Sequence, residues 1–230
     1  MIYHLTPIVG TILYLSFPKN LHLNKNILFV LSLFHNVGLV AFSGWTFLSL
    51  LNIIKTNGIV FQKNYYFQNP EFDTIIYYFY LSKYYEFIDT FLVSMSGKTP
   101  IFLQKYHHVG AVICWHLCYY NKSDFVWMPT LLNSMVHTIM YSYYLLTSIK
   151  IQQVRIIKPY ITSLQLVQFA VNYANLYFYY PPVDTITNYF IINIFAIYGI
   201  GLIYLFGIFY KKSYLEKENT PILPNKHHDT

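Results

Sequence analysis

Apolar residues run along most of the chain in blocks too long for the interior of a small soluble domain. Polar residues gather between the blocks or recur inside them in short, regularly spaced sets. A helix needs about 20 predominantly apolar residues to cross the hydrocarbon core of a bilayer. Blocks of that order fall at 3–18, 26–54, 72–96, 99–120, 124–148, 155–179 and 186–210. They predict an all-α polytopic membrane protein in which residues 1–212 form one unit of seven transmembrane helices and 213–230 a short cytosolic tail. The first block is short and holds Pro7 and Gly10, but no small-residue cleavage site follows it, so it reads as a helix rather than a signal-like anchor.

The composition agrees, with 55% hydrophobic, 20% aromatic and 10% charged residues. The placement of charge adds an orientation. With the N-terminus lumenal, the cytosolic side collects Lys19, Lys25, Lys98, Lys105, Lys150, Arg155, Lys158, Lys211, Lys212, Lys217 and Lys226. The lumenal side keeps only Lys55, Lys63 and Lys122, so the bias puts the C-terminus in the cytosol. The net charge of +6 then describes loops facing an anionic leaflet or an anionic substrate, and nothing points to nucleic acid. Cys114 and Cys118 share one span and read as packing residues rather than a disulfide framework. Asn121-Lys122-Ser123 is a formal glycosylation sequon in a loop too close to the membrane to be modified.

Several spans carry polar groups too deep for interfacial snorkelling, and ionisable groups at that depth are costly and usually functional. Lys83, Glu86 and Asp89 recur every three residues in the third block. Gln104, His107 and His108 share a face of the fourth; Asn133, His137, Tyr141 and Tyr144 form a stripe on the fifth. On the sixth, Thr162 opens a polar run through Gln165, Gln168, Asn172 and Asn175. These faces must meet inside a bundle. At 1.5 Å per residue they lie in the cytosolic half, His137 deepest at roughly 16 Å. Such a chamber suits an amphiphile with its polar head at the cytosol and its hydrocarbon tail pointing down.

Three chemistries compete for the histidines. A metal centre is disfavoured because only His107, His108 and His137 are well placed, whereas His4, His22, His35 and His116 lack ligand spacing and His227 and His228 lie in the tail. A transporter or receptor built on a buried His/Lys/Glu/Asp network is the alternative, but the polar stripes end halfway across and no broken helices recur in the two halves. Acyl transfer through a neutral imidazole uses the chamber best. Cys114 and Cys118 are poorer nucleophiles, being deeper and without a basic partner.

The motifs "KYYEFIDT" (83–90), "QKYHH" (104–108), "HTIMYSYY" (137–144) and "TSLQLVQ" (162–168) stand in order on successive spans. Together they resemble the KxxExxDT, HxxHH, HxxMYxYY and TxxQxxQ boxes of the fatty acid elongases, over about residues 26 to 212. The resemblance implies a seven-helix fold in the endoplasmic reticulum membrane, with six helices enclosing an acyl tunnel. It implies condensation of a long-chain acyl-CoA with malonyl-CoA to 3-oxoacyl-CoA, CoA and carbon dioxide, an acyltransferase reaction with no bound cofactor or metal. Reductase and dehydratase enzymes of the elongation cycle, and a second copy in a homodimer, would be its partners. By similarity His107 takes the nucleophile's place, His137 the second catalytic position, and His108, Lys83, Glu86 and Asp89 orient them. Gln104 stands where the motif has its first histidine, and is expected to hydrogen-bond an imidazole one turn away. Lys226 alone is a weak retrieval signal. The aromatic cluster from Leu176 to Tyr180 suggests that Tyr177 and Phe178 close the acyl tunnel and shorten the accepted chain.

Overall fold

The computed structural model describes residues 5–18, 21–179 and 185–216. Lys19, Tyr180, Lys217, Lys226, His4, His227 and His228, and with them most of the expected tail, lie outside the described residues. Helices occupy all seven blocks: α1 (Thr6–Leu15), α2 (Lys25–Asn57), α3 (Pro70–Tyr85) continued by α4 (Phe87–Met95), α5 (Phe102–Tyr120), α6 (Trp127–Ser148), α7 (Lys158–Tyr179) and α8 (Ile186–Tyr210). A π-helical turn, Lys211–Leu215, extends α8, and there is no strand among the described residues.

Local chemistry sets several helix starts. Asn24 and Asn69 accept the amide protons of Asn26 and Glu71, each at 2.8 Å, and Thr185 accepts that of Asn188 at 3.2 Å. Pro70 opens α3, where the missing amide costs nothing. Helix α2 stops at Gly58, whose φ of 78° suits a residue without Cβ. The third block is not one helix. The chain tightens at Glu86, where the Asp89 amide donates to the Glu86 carbonyl at 3.1 Å, and α4 starts afresh.

Six of these elements pack in a cycle: α2 against α3, α3 against α5, α5 against α8, α8 against α7, α7 against α6 and α6 back against α2. The α2–α6 contact is the most extensive. Buried Ser43 and Thr46 on α2 and Thr130 and Ser134 on α6 are small, and a Cβ on Gly44 would reach the Thr138 methyl at 3.9 Å. Small residues let the two backbones approach, as in helix pairs within membranes. Helix α1 docks outside the cycle, against α5.

The distribution of polarity is inverted relative to a water-soluble domain. Phe34, Leu48, Val167, Ile197 and Tyr204 point outward, while Lys83, Glu86, His108, His137, Gln168 and Asn172 are buried. By length and composition two helices, α2 and α8 with its extension, qualify to cross a membrane. The others carry the buried polar faces, which dilute their apolar character.

One end of the bundle is closed by hydrogen bonds. The Trp127 indole N–H donates to Tyr179 Oη and Tyr179 donates to the Val60 carbonyl, both at 3.0 Å. Tyr66 Oη accepts the Val60 amide proton at 3.0 Å, and Asp124 accepts the amides of Tyr65 and Phe67 at 2.8 and 3.0 Å. Asn175 reaches the Phe125 carbonyl at 3.0 Å, and Lys122 pairs with Asp73. Tyr179→Phe keeps the ring but strands a buried indole N–H and a carbonyl. It is expected to cost about 1–3 kcal/mol, read as a lowered melting temperature in detergent, whereas Tyr177→Phe at a 75% exposed position leaves melting unchanged.

Candidate active site

The Lys83 side chain is 2% exposed. Its ammonium donates to Glu86 Oε1 at 2.7 Å and to Asn133 Oδ1 at 2.9 Å, and sits 3.8 Å from the centroid of the Phe79 ring. A buried ammonium needs such partners, because an isolated charge is expelled or neutralised. Asn133 spends its carbonyl on Lys83, so its amide is free to donate to His137 Nε2 at 3.2 Å. His137 Nδ1, on the other side of the ring, lies 3.4 Å from Glu86 Oε1. Lys83, Glu86, His137 and Asn133 thus form one polar cluster between α3 and α6.

Successive residues on a helix point about 100° apart, and the adjacent histidines of α5 diverge accordingly. His107 faces α6 and α8: its ring centroid lies 6.3 Å from that of His137, and its Nδ1 lies 2.9 Å from Tyr198 Oη. His108 faces α1 and α4, edge-on to Tyr14 at 6.0 Å and Phe87 at 6.2 Å. Tyr14 stacks on Phe87 at 4.1 Å and shares a 2.8 Å hydrogen bond with Thr90, which fastens α1 over this side.

Asp89 is drawn away from Lys83 and Glu86 by the turn at Glu86. Its carboxylate accepts from His35 Nε2 at 2.9 Å and from Tyr141 Oη at 2.6 Å. Tyr144 stands edge-on to Tyr141 at 5.9 Å and is 40% exposed. On α7, Gln165 turns to α6 and donates to Met140 Sδ at 3.4 Å, while Thr162 shares a 3.1 Å hydrogen bond with Tyr214. Gln168 and Asn172 face a cavity of about 30 Å³ beside His107, lined further by Trp115, Phe169, Leu176, Phe195, Tyr198 and Leu202. The side-chain oxygens of Gln168 and Asn172 there have no hydrogen-bond partner. The space suits one water.

Some candidates stand apart from this centre. Gln104 is half-buried on the first turn of α5 and makes no side-chain hydrogen bond among the described residues, so the expected bond to an imidazole is not formed. Tyr177 and Phe178 face outward, 75% and 55% exposed, Phe178 stacking on Phe61 at 4.7 Å. The inward positions at that level are Leu176 and Tyr179, 5% and 4% exposed. Two participants escaped the sequence reading. His35 lacked ligand spacing but lies on the buried stripe of α2 with Asn36 and Ser43, and Tyr198 is one tyrosine among the apolar residues of α8.

One donor atom each from Glu86, His107 and His137 lies within 4.8 Å of the others, close enough to hold a cation. The Lys83 ammonium already serves Glu86 in this arrangement.

A sequence profile of the GNS1/SUR4 family matches residues 1–221. The chain belongs to that family, the ELO family of fatty acid elongases. Among its relatives, fatty acid elongase sre1 of Dictyostelium discoideum is 35% identical over 155 residues, covering 60% of this chain and 53% of the relative. A very long chain fatty acid elongase 4 of Trypanosoma cruzi is 34% identical over 159 residues, 66% of this chain and 55% of its own. Long chain fatty acid elongase 2 of Caenorhabditis elegans is 28% identical over 148 residues, 61% and 54% of the two chains. The matched stretch therefore spans about half the length of these curated relatives.

Within this elongase fold the Lys83–Glu86 pair has a testable energetic signature. Lys83→Met leaves a buried carboxylate uncompensated and is expected to cost about 3–5 kcal/mol. Lys83→Met with Glu86→Gln removes both charges and should recover most of that loss in a thermal melt.

Proposed function

We propose that this chain is a membrane elongase that condenses a long-chain acyl-CoA with malonyl-CoA, with His107 carrying the acyl group between the half-reactions. The observation that supports it most is the convergence of His107 and His137 against the buried Lys83–Glu86 pair, in a member of the elongase family. Three costly polar elements from α3, α5 and α6 meet at one point, which packing alone does not require.

In the first half-reaction a ring nitrogen of His107 attacks the thioester carbonyl carbon. The C–S bond breaks, CoA leaves as the thiolate and takes a proton from water, and an acyl-imidazolium remains. In the second, malonyl-CoA loses carbon dioxide and the electron pair of the broken C–C bond forms an enolate. Its carbon attacks the acyl carbonyl, the C–N bond breaks, and His107 regains its electron pair as 3-oxoacyl-CoA departs. His137, between Glu86 and Asn133, steadies the enolate and its proton traffic, and His108 with the Lys83, Glu86 and Asp89 network orients the pair. No step calls for a bound cofactor or metal.

The six-helix cycle would admit the acyl chain by parting side chains around the small cavity, with the tail directed toward Leu176 and the Trp127–Tyr179 closure. Basic residues such as Lys98, Lys105 and Lys158 would meet the CoA phosphates on the cytosolic side, the N-terminus being lumenal and the membrane that of the endoplasmic reticulum. The later reductions and dehydration would fall to separate enzymes, and a homodimer is compatible with the free outer faces. The transporter or receptor reading gains nothing from the site, because its polar groups are held in a local cluster at one point.

Intact-protein mass spectrometry after incubation with a panel of long-chain acyl-CoAs, without malonyl-CoA, tests the acyl-enzyme. A gain of one acyl group, absent in His107→Ala, is expected; CoA release that always requires malonyl-CoA would sink the two-stage mechanism. In product analysis, Leu176→Ala should lengthen the chains made, whereas Tyr177→Ala and Phe178→Ala, both on the outer face, should leave their distribution unchanged.

A further inference from the structure

The Tyr198 hydroxyl touches His107 twice. It lies 3.0 Å from the main-chain carbonyl oxygen of His107, to which only the phenol can donate, and 2.9 Å from Nδ1 of the same residue. A phenol has a single proton. If that proton goes to the carbonyl, the second contact is a hydrogen bond only when Nδ1 carries a proton and donates to the phenol oxygen. The other arrangement, with the phenol donating to Nδ1, makes one bond and leaves the second contact unmade. Burial favours the arrangement that satisfies both, since Tyr198 is 7% exposed.

We propose that Tyr198 is a positioning residue that holds His107 in the Nδ1–H tautomer, so that Nε2 is the atom left with an electron pair for the acyl group. This rests on the reading of His107 as the acyl carrier. The consequence for the chemistry is direct. Nε2 forms the C–N bond to the acyl carbon, Nδ1 keeps its proton against the phenol oxygen throughout, and the acyl-imidazolium retains its positive charge. That charge makes the imidazole a better leaving group when the malonyl-derived carbon attacks, and no proton need be removed from the ring or returned to it.

The approach of Tyr198 is built into the backbone. A Cβ on Gly110, one turn after His107, would lie 2.2 Å from Tyr198 Cε2, so a larger residue there would displace the tyrosine. The phenol ring is nearly parallel to the imidazole, at 11°, with the centroids 6.5 Å apart, which matches a hydrogen bond in the plane of both rings.

Tyr198→Phe removes the hydroxyl while keeping the ring that fills the space beside Gly110, so the fold is preserved and a melt that stays cooperative would verify it. Protein labelled with nitrogen-15 in histidine, in lipid, with His107 assigned by subtraction of the His107→Ala spectrum, reports the tautomer. Wild type should show a protonated Nδ1 and a bare Nε2, and Tyr198→Phe should shift toward the other tautomer. Single-turnover acylation should fall roughly three- to tenfold in Tyr198→Phe, the worth of about one hydrogen bond, with the half-saturating acyl-CoA concentration unchanged.

A wild-type spectrum with bare Nδ1, or a variant with unaltered tautomer and acylation rate, would overturn the proposal while leaving the acyl-enzyme reading intact. If wild type acquires no acyl group from any acyl-CoA, the acyl-enzyme reading fails instead. The spectrum then still decides whether Tyr198 sets the tautomer.

Discussion

A single ammonium group sealed from solvent organises this molecule. Lys83 can remain charged in the interior only while Glu86 and Asn133 stay within hydrogen-bonding reach, and Asn133 in turn bonds His137. The register of α6 against α3 follows from this, since Asn133 and His137 must face the same point one helical turn apart. So does the turn at Glu86, which keeps that carboxylate on Lys83 while releasing Asp89 toward His35 and Tyr141. The histidine of α5 that faces this cluster is therefore in a setting that few other residues are free to alter.

The two adjacent histidines illustrate how one helix serves two neighbourhoods. His107 looks into the bundle, and His108 looks toward α1, where Tyr14 packs against Phe87 and bonds Thr90. Helix α1 packs outside the cycle of six, yet through Tyr14 it covers the flank of the polar centre. The short first block is part of the site's shielding.

Much of this was legible in the sequence. All seven blocks hold helices, and the polar stripes at steps of three and four residues do turn inward, as helical periodicity requires. The break at Glu86 was not legible, because its residues all accept helical conformation. The partners of Asp89 came from α2 and α6, tens of residues away in sequence. Tyr177 and Phe178 were picked for their bulk, but a shift of one position along a helix moves a side chain about 100°, and it is Leu176 and Tyr179 that face inward. Tyr198 had no spacing to mark it; its partner histidine lies 91 positions earlier.

The two sides of the helix cycle differ in packing. Along α2 and α6 small side chains bring the backbones together, leaving little to compress. Along α7 and α8 the contacts are made by large rings around an unfilled space, Phe169 lying 5.1 Å from Phe206 between centroids. The two walls thus differ in what fills them, small side chains along α2 and α6 and large rings along α7 and α8.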